Sequence, residues 1–258
     1  MSEDALFSLA GQVAVVIGGG GALAGAMATG LAQAGADIAI LSRTLEGAEA
    51  RAAAIAALGL QAIGIKCDAT SKADLEKALD TVLRRFGHVD TLINAAGANS
   101  STPFFEISEQ EWQRILDIDL KSVFLACQVF GKAMVDAGRG GSIINISSAS
   151  SGPPLSKVFT YSVAKAGVNQ ITQFLGRELA PYNIRVNAIL PGFFPAEQNR
   201  KILTEERVAS IIGHTPMKRF GESSELVGAA VYLASPRAAS FVTGSILRVD
   251  GGFTAMAI

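Results

Sequence analysis

The sequence predicts an α/β fold, a single domain over residues 1–258 with a doubly wound parallel sheet and helices on both faces. Two observations predict it. Short apolar segments rich in β-branched residues alternate with longer segments typical of helices. The short segments are apolar at every position rather than at every second one, which is typical of strands buried on both faces of a parallel sheet. Right-handed crossovers then place the helices on both sides of the sheet.

The first strand is predicted at 12–17, where the apolar run meets four glycines, and the Ala-rich helix 22–34 ends at Gly35, a favourable helix stop. The segment 192–222 departs from the alternation and contains several turn residues, which predicts a lid with a short helix near 198–212. The other strands are predicted at 37–41, 62–66, 89–94, 141–147, 184–190 and 246–249, and the other helices at 45–58, 72–86, 108–136, 158–180 and 223–234.

The composition restricts the class of protein. With 258 residues, 49% of them hydrophobic, the chain can bury a full core, and a net charge of −1 favours neither nucleic acid nor an anionic membrane surface as partner. No apolar run reaches the ~18–20 residues of a membrane span, and no targeting peptide is visible, so we expect a cytoplasmic protein. The two cysteines and two histidines lack metal-ligand spacing, and no metal site is expected.

A nucleotide site is predicted where the first strand meets the first helix. Gly18, Gly20 and Gly21 allow a close backbone approach to an anion, and the helix N-terminus supplies free N–H groups. The second strand ends at Ser42, Arg43 and Thr44, without the acidic residue that usually binds the ribose of NAD. A guanidinium and two hydroxyls suit a 2′-phosphate, so NADP(H) is the preferred cofactor and NAD the alternative.

Further cofactor contacts are predicted at the next two strand ends. Asp68 follows the third strand and is placed to accept a hydrogen bond from the adenine amino group. The run Asn94-Ala95-Ala96-Gly97 ends the fourth strand with small residues, as required where backbone approaches a cofactor. The alternative for Asn94 is that it braces the sheet.

The candidate catalytic residues are Ser148, Tyr161 and Lys165. Residues four apart on a helix share a face, so the Lys165 ammonium can lie near the Tyr161 hydroxyl. A positive charge there favours the phenolate, and such a phenol can give a proton to an alkoxide or take one from an alcohol. Ser148 can hydrogen-bond the same substrate oxygen.

Together with Arg185-Val186-Asn187, Pro191-Gly192 and Val249-Asp250-Gly251-Gly252, these residues resemble the short-chain dehydrogenase/reductase family over nearly the whole chain. The resemblance implies a single Rossmann-type domain of seven parallel strands, hydride transfer to or from a nicotinamide, and a homotetramer. It also implies that Tyr161 is the acid/base, that Lys165 promotes its ionisation and holds the nicotinamide ribose, and that Ser148 orients the substrate carbonyl. The remaining cofactor contacts that it implies are Leu23, Ala69, Pro191, Gly192 and Phe194.

The chain departs from the family pattern at several positions. Ile17, Ala22 and Ala24 replace a Thr and two Gly of the glycine turn, and Ala196 replaces a Thr. The family's fourth catalytic residue, an Asn, falls on Asp119. An Asn both donates and accepts, while an ionised Asp only accepts. Asp119 is therefore expected either to hold the water that relays protons from Lys165 or to slow that relay.

The substrate is predicted from the lid. Segments 191–194, 197–200 and 214–217, with 154–157 before Tyr161, resemble the fructuronate reductase (D-mannonate oxidoreductase) members of the family. Arg200 can pair with a carboxylate, while Asn199 and Ser150 can bind hydroxyls. Lys157 is a second carboxylate candidate.

Two alternatives remain open at this point. The first keeps the chemistry but takes 3-oxoacyl thioesters or small cyclic ketones, which the apolar lid residues Phe193, Phe194, Ile211 and Ile212 would favour. The second is a nucleotide-binding protein with little turnover, which the departures at Asp119, Ala22 and Ala24 would favour.

Overall fold

The computed structural model describes residues 6–153, 155, 157–195 and 204–255. Its centre is one sheet of seven parallel strands in the order β3-β2-β1-β4-β5-β6-β7, which confirms the predicted fold class. The strands are β1 (Val13–Ile17), β2 (Asp37–Ser42), β3 (Ala62–Lys66), β4 (Thr91–Asn94), β5 (Gly141–Ile146), β6 (Ile184–Pro191) and β7 (Ile246–Val249).

Helices cover both faces of this sheet. They are α1 (Ala22–Gln33), α2 (Leu45–Ala56), α3 (Lys72–Phe86), α4 (Glu109–Leu116), α5 (Ser122–Ala137), α6 (Phe159–Glu178), α7 (Glu205–His214) and α8 (Val227–Ala234). None of the helices in the described part of the chain combines the length and the hydropathy needed to cross a membrane.

The core has one apolar layer on each face of the sheet, and β1 shows why its sequence is apolar throughout. Val13, Val15 and Ile17 point into the layer under α3, α5 and α6, while Ala14 and Val16 point into the layer under α1, α2 and α8. Successive side chains of a strand alternate between faces, so a strand covered on both sides needs an apolar residue at every position.

The predicted helix 108–136 is interrupted. Between α4 and α5 the chain forms a π-helical segment, Asp117–Lys121, whose wider turn contains the buried Asp119. The interruption could not be expected from hydrophobic periodicity, because the sequence on either side keeps its helical pattern. Single-turn π segments of this kind are frequent at functional sites.

Two other predicted helices also differ from the structure. The predicted helix 223–234 begins as a 3-10 turn, Ser223–Leu226, and becomes α-helical only at Val227. The helix predicted near 198–212 is observed as α7, capped by the Thr204 side chain, which accepts a hydrogen bond from Arg207 N. The first six residues of that predicted range, 198–203, lie outside the described residues.

Candidate active site

A cavity of about 940 Å³ opens at the carboxyl ends of β1, β2, β3 and β4. The connections from β1 and β4 run to opposite sides of the sheet, and such a switch point is where open α/β sheets bind ligands. Eight of the predicted cofactor residues line the cavity: Gly18, Gly21, Ser42, Arg43, Asp68, Ala69, Ala95 and Gly97.

The glycine turn has the geometry that close approach to a phosphate requires. Gly18 has φ +80°, and a Cβ placed on it would lie 2.7 Å from Ala95 O. Gly21 is the N-cap residue of α1 and makes no side-chain cap, so backbone N–H groups at that helix end remain available to an anion. Ala22 and Ala24 are helical residues of α1, so these departures from the family pattern leave the turn 18–21 intact.

At the end of β2, Ser42 and Arg43 line the cavity but Thr44 does not. The Thr44 hydroxyl accepts a hydrogen bond from Gly47 N at 3.3 Å and caps α2. Gly20 lies beside this strand end, since a Cβ on it would be 3.1 Å from Ser42 Oγ. Leu23 packs against the core layer under α1 rather than lining the cavity.

The Asp68 carboxylate is held in one orientation by Thr70. Its Oδ1 accepts hydrogen bonds from Thr70 N at 2.9 Å and Thr70 Oγ1 at 2.8 Å. These bonds, with a smaller contribution from the positive charge of Arg43, lower the pKa of Asp68. Asp68 is therefore an acceptor on the cavity wall, as an adenine amino group requires.

Several cavity residues were not predicted from the sequence. Cys67 lines the wall, and burial raises the pKa of its thiol to about 12, with Asp74 and Asp68 adding to the effect. α4 and the start of the π segment form another wall, contributed by Glu109, Gln110, Gln113, Arg114 and Asp117. Their spacing places them along one helix face, and this pattern is the feature of the sequence from which a polar helical wall could have been predicted.

Asn94 and the residues after β6 lie away from this cavity. The Asn94 amide is buried and donates to Asn145 Oδ1 at 2.8 Å, so it braces β4 against β5. Gly192 lies against Asp250, because a Cβ on it would be 2.7 Å from Asp250 Cα. Phe194 lines a separate cavity of about 360 Å³ with its ring against Gly221, and Pro191 is the last residue of β6.

The structure brings three of the four predicted catalytic residues into one cluster. Lys165 Nζ lies 5.5 Å from the centre of the Tyr161 ring and donates a hydrogen bond to Ile146 O at 3.1 Å. It also pairs with Asp119 Oδ1 at 3.2 Å, and both charged side chains are almost fully buried. The i,i+4 spacing on α6 therefore does place the ammonium beside the tyrosine.

Asp119 connects this cluster to the loop after β4. Its Oδ2 accepts a hydrogen bond from Ala98 N at 2.9 Å. Burial raises the pKa of Asp119, against the opposing effects of Lys165 and the Ala98 N–H. Gly97 leaves room for the carboxylate, since a Cβ there would lie 2.9 Å from Asp119 Oδ1 and 3.9 Å from Lys165 Nζ.

Ser148 follows β5 and is partly exposed, while Ser150 is only 3% exposed and donates a hydrogen bond to Ser148 Oγ at 3.1 Å. Ser150 thus contacts Ser148 rather than lying open to a substrate. The predicted substrate residues Asn199 and Arg200 lie outside the described residues. Within the described residues, no three His, Cys, Asp or Glu side chains come together as metal ligands would.

Residues 20–254 match the family model described as enoyl-(acyl carrier protein) reductase. The chain belongs to the short-chain dehydrogenase/reductase family and is an oxidoreductase that acts on CH–OH groups. A 5-keto-D-gluconate 5-reductase of Escherichia coli (strain K12) is 36% identical over 248 residues, which cover 96% of this chain and 97% of that relative.

Two solved structures are similar over nearly the whole chain. One is a gluconate 5-dehydrogenase from Burkholderia cenocepacia J2315 in complex with NADP and tartrate, with a TM-score of 0.93, 32% identity and coverage of 98% of this chain and 99% of that one. The other is a candidate D-mannonate oxidoreductase from Haemophilus influenza with bound NAD, with the same TM-score, identity and coverage.

Proposed function

We propose that the chain interconverts a ketone and a secondary alcohol of a sugar acid with a nicotinamide dinucleotide as cofactor. The observation that carries this proposal is the position of Gly97. This glycine lines the large cavity, and the site of its missing Cβ is 3.9 Å from Lys165 Nζ. A dinucleotide in the cavity would therefore end beside the Lys165 and Tyr161 pair.

The cavity fits such a cofactor. Gly18 and Gly21 would hold the pyrophosphate at the start of α1, Ser42 and Arg43 the adenosine ribose, and Asp68 the adenine. The chemistry that the nicotinamide supplies when bound is hydride transfer. Pro191, Gly192 and Phe194 remain the predicted contacts of the nicotinamide itself.

In the proposed reduction, Tyr161 gives its phenolic proton to the substrate oxygen while Ser148 donates a hydrogen bond to the same oxygen. The buried ammonium of Lys165 beside Tyr161 favours the phenolate that remains. In the alcohol-to-ketone direction the phenolate accepts the proton.

We propose NADP(H) as the preferred cofactor. Arg43 is exposed at the end of β2 on the cavity wall, where its guanidinium can pair with a 2′-phosphate. The two solved structures contain NADP in one case and NAD in the other, so the relatives leave the preference open.

The substrate class is proposed from the relatives and from the packing of the lid. The relatives are named for gluconate, ketogluconate and mannonate. Two of the four apolar side chains that would favour a plain ketone pack against other residues. Ile211 is 4% exposed, and the Phe193 ring packs edge-to-face on Phe253 at 5.0 Å. Fructuronate reduced to mannonate remains the favoured reaction, with Asn199 and Arg200 as proposed substrate contacts.

A substrate panel tests this choice. Initial rates with NADPH are measured on fructuronate, 5-keto-D-gluconate, a 3-oxoacyl thioester and a small cyclic ketone. We expect turnover of the two sugar acids and little of the other two. Turnover confined to the thioester or the cyclic ketone would contradict the sugar-acid proposal and leave the reaction class standing.

Replacing Tyr161 with Phe tests the proton transfer. Loss of the phenolic proton should lower kcat by a factor of about 10² or more while NADPH still binds. Tyr182→Phe is the matched control, because Tyr182 is half-exposed on the turn after α6. Wild-type turnover in Tyr161→Phe would contradict the mechanism.

We also propose that the chain forms a homotetramer through α5 and α6. Phe124 on α5 and Phe174 on α6 are 47% and 63% exposed, and Leu116, Leu120 and Ile171 line an apolar groove beside Phe124. Exposed apolar surface of this kind marks interfaces. Light scattering gives the mass in solution, and a monomer at micromolar concentration would contradict the proposal.

A further inference from the structure

A group of hydroxyls surrounds Ser148 at the end of β5. Ser147, Ser148, Ser150 and Ser151 lie within five residues, and their hydrogen bonds reach Asn169 on α6. None of Ser147, Ser151 and Asn169 has a role in the proposed function so far. The group matters because it contacts both the proposed substrate-binding hydroxyl and the helix that carries Tyr161 and Lys165.

Ser148 Oγ is the acceptor in both of its hydrogen bonds with Ser150. Ser150 N donates to it at 3.2 Å and Ser150 Oγ donates to it at 3.1 Å. A serine hydroxyl has two acceptor lone pairs and one O–H donor. With both lone pairs occupied, Ser148 keeps only its O–H for a substrate. A donor of this kind binds a carbonyl or alkoxide oxygen, and its bond strengthens as negative charge develops on that oxygen.

The backbone of this segment is tied to α6. Ser147 Oγ donates to Asn169 Oδ1 at 2.6 Å, Asn169 Nδ2 donates to Ser151 Oγ at 2.9 Å, and Ser151 Oγ donates to Ser148 O at 2.7 Å. Asn169 lies one helical turn beyond Lys165 and two beyond Tyr161 on α6. The Asn169 amide therefore fixes the position of Ser148 relative to those two residues.

We infer that Ser150 and Asn169 are positioning residues for the ketone–alcohol reaction. Ser150 occupies the acceptor sites of Ser148 and leaves it a donor only, and Asn169 sets the separation between Ser148 and Tyr161. This inference rests on the proposed function and replaces the expectation that Ser150 binds a substrate hydroxyl. Both residues act through Ser148, so their effects must depend on the Ser148 hydroxyl being present.

A double-mutant cycle on Ser148→Ala and Ser150→Ala tests the role of Ser150. In the wild-type background we expect Ser150→Ala to lower kcat about tenfold, because it empties one of the two acceptor sites of the Ser148 hydroxyl and leaves only the bond from the backbone N–H of residue 150. The Kd for NADPH should stay within about twofold, since Ser150 does not line the cofactor cavity. In the Ser148→Ala background, Ser150→Ala should have no further effect on kcat. Ser150→Thr, which keeps the hydroxyl, should recover most of the lost activity.

Ser142→Ala is the matched control. Ser142 is a buried serine at the opposite end of β5, and its hydroxyl donates to Leu233 O at 2.8 Å. We expect this variant to lower thermal stability and leave kcat unchanged. If Ser150→Ala behaves like Ser142→Ala, or if it lowers kcat equally with and without the Ser148 hydroxyl, the inference is overturned.

Asn169→Leu and Asn169→Asp test the tie to α6. The Leu variant loses both the donor and the acceptor, and the Asp variant loses only the donor to Ser151. We expect kcat to fall more in the Leu variant than in the Asp variant, with the Kd for NADPH unchanged in both. Unchanged kcat in a folded Leu variant would overturn this half of the inference. Failure of the unaltered chain to reduce any ketone would instead overturn the proposed function, and this inference with it.

Discussion

Gly18 is the residue of the glycine turn with the least freedom to change. Its φ of +80° is unfavourable for any residue with a side chain, and Ala95 O lies 2.7 Å from where a Cβ would stand. Gly59 is a useful comparison, because it has φ +78° and no atom within 4 Å of its Cβ position. A comparison of alanine substitutions at Gly18 and Gly59 therefore distinguishes the cost of backbone strain from the cost of a steric clash.

We predict that Gly59→Ala lowers the free energy of unfolding by about 1–2 kcal/mol, the cost of left-handed backbone alone. Gly18→Ala should lower it further and should weaken NADPH binding, because the turn must move away from Ala95. Urea denaturation and fluorescence titration with NADPH measure the two effects. Equal losses of stability with unchanged NADPH affinity would show that the close approach at Gly18 does not matter.

Asp119 places a buried carboxylate beside the candidate acid/base. The charged and titratable groups around it are Lys165 at 3.2 Å, Tyr161 next to that ammonium, and Arg114 on α4, which acts at longer range. Burial raises the pKa of Asp119, so ionising its carboxyl costs the folded chain free energy in spite of the Lys165 partner. Asn at this position would keep an acceptor for Ala98 N and remove the negative charge.

We therefore predict that Asp119→Asn stabilises the chain relative to the unaltered protein by more at pH 7 than at pH 4. The sign follows because the pKa of Asp119 is raised in the folded chain, so the unaltered protein must ionise a buried carboxyl as the pH rises, a cost that Asn does not carry. Urea denaturation at the two pH values measures the difference. Glu109→Gln, which removes an exposed carboxylate, is the control and should leave the pH dependence in place. A stability difference between Asp119→Asn and the unaltered chain that is the same at both pH values would contradict this account.

At the scale of elements, the strands were the easiest part to predict. Each observed strand begins and ends within two residues of its predicted bounds, because β-branched apolar runs bounded by polar or glycine residues have few other interpretations. The π segment 117–121 was missed, since its cause is tertiary. Asp119 there contacts Ala98 N, 21 residues earlier in the chain, and Lys165 on α6. Local periodicity contains no information about such contacts.

The packing of α1 against α8 depends on the absence of a side chain at Gly30. A Cβ there would lie 2.2 Å from Val227 Cγ1, at the first residue of α8. Gly228, the next residue of α8, has no atom within 4 Å of its Cβ position. Both glycines are helical, so both substitutions to Ala gain the same intrinsic helix propensity.

We predict that Gly228→Ala stabilises the chain by up to about 1 kcal/mol and that Gly30→Ala destabilises it by about 1–3 kcal/mol. Adding Val227→Ala to Gly30→Ala should recover much of that loss, because the two methyl groups that meet the new Cβ are removed. Thermal and urea unfolding of the four proteins measure this. Stabilisation by Gly30→Ala alone would mean that the two helices separate easily, against the packing described here.

At the scale of the whole molecule, the order of the strands brings the site residues together at the carboxyl edge of the sheet. β1 and β4 are neighbours in the sheet although their paired ends, Ile17 and Asn94, are 77 residues apart in the sequence. Ile17 and Leu41, at the ends of β1 and β2, and Ala95, directly after β4, line the same cavity. Candidate site residues that directly follow a strand could be proposed from the sequence, because the end of a strand is recognised from local residues. The sequence did not predict the wall formed by α4 or the tie from Asn169 to Ser151, which depend on how distant elements pack.

Because the cavity lies between several elements of the fold, binding of the cofactor there should stabilise the whole folded chain, and the rise in Tm measures that binding. A ligand that binds only the folded chain stabilises it by about 2.7 kcal/mol at 100 times its Kd, or roughly 5–10 °C in Tm for a domain of this size. We predict that at equal concentrations NADP raises Tm more than NAD, because only the 2′-phosphate can pair with Arg43 on the cavity wall. Arg43→Ala should reduce the NADP shift to that of NAD and leave the NAD shift unchanged.

Arg84→Ala is the control for that experiment, since Arg84 lies on α3 and does not line the cavity. It should leave both shifts as they are. A larger shift with NAD than with NADP in the unaltered chain would reverse the cofactor preference. In that case Arg43 would be a solvent-exposed side chain without a cofactor contact, and Ser42 or the carboxylates of Glu109 and Asp117, which line the same cavity, would bind the ribose hydroxyls.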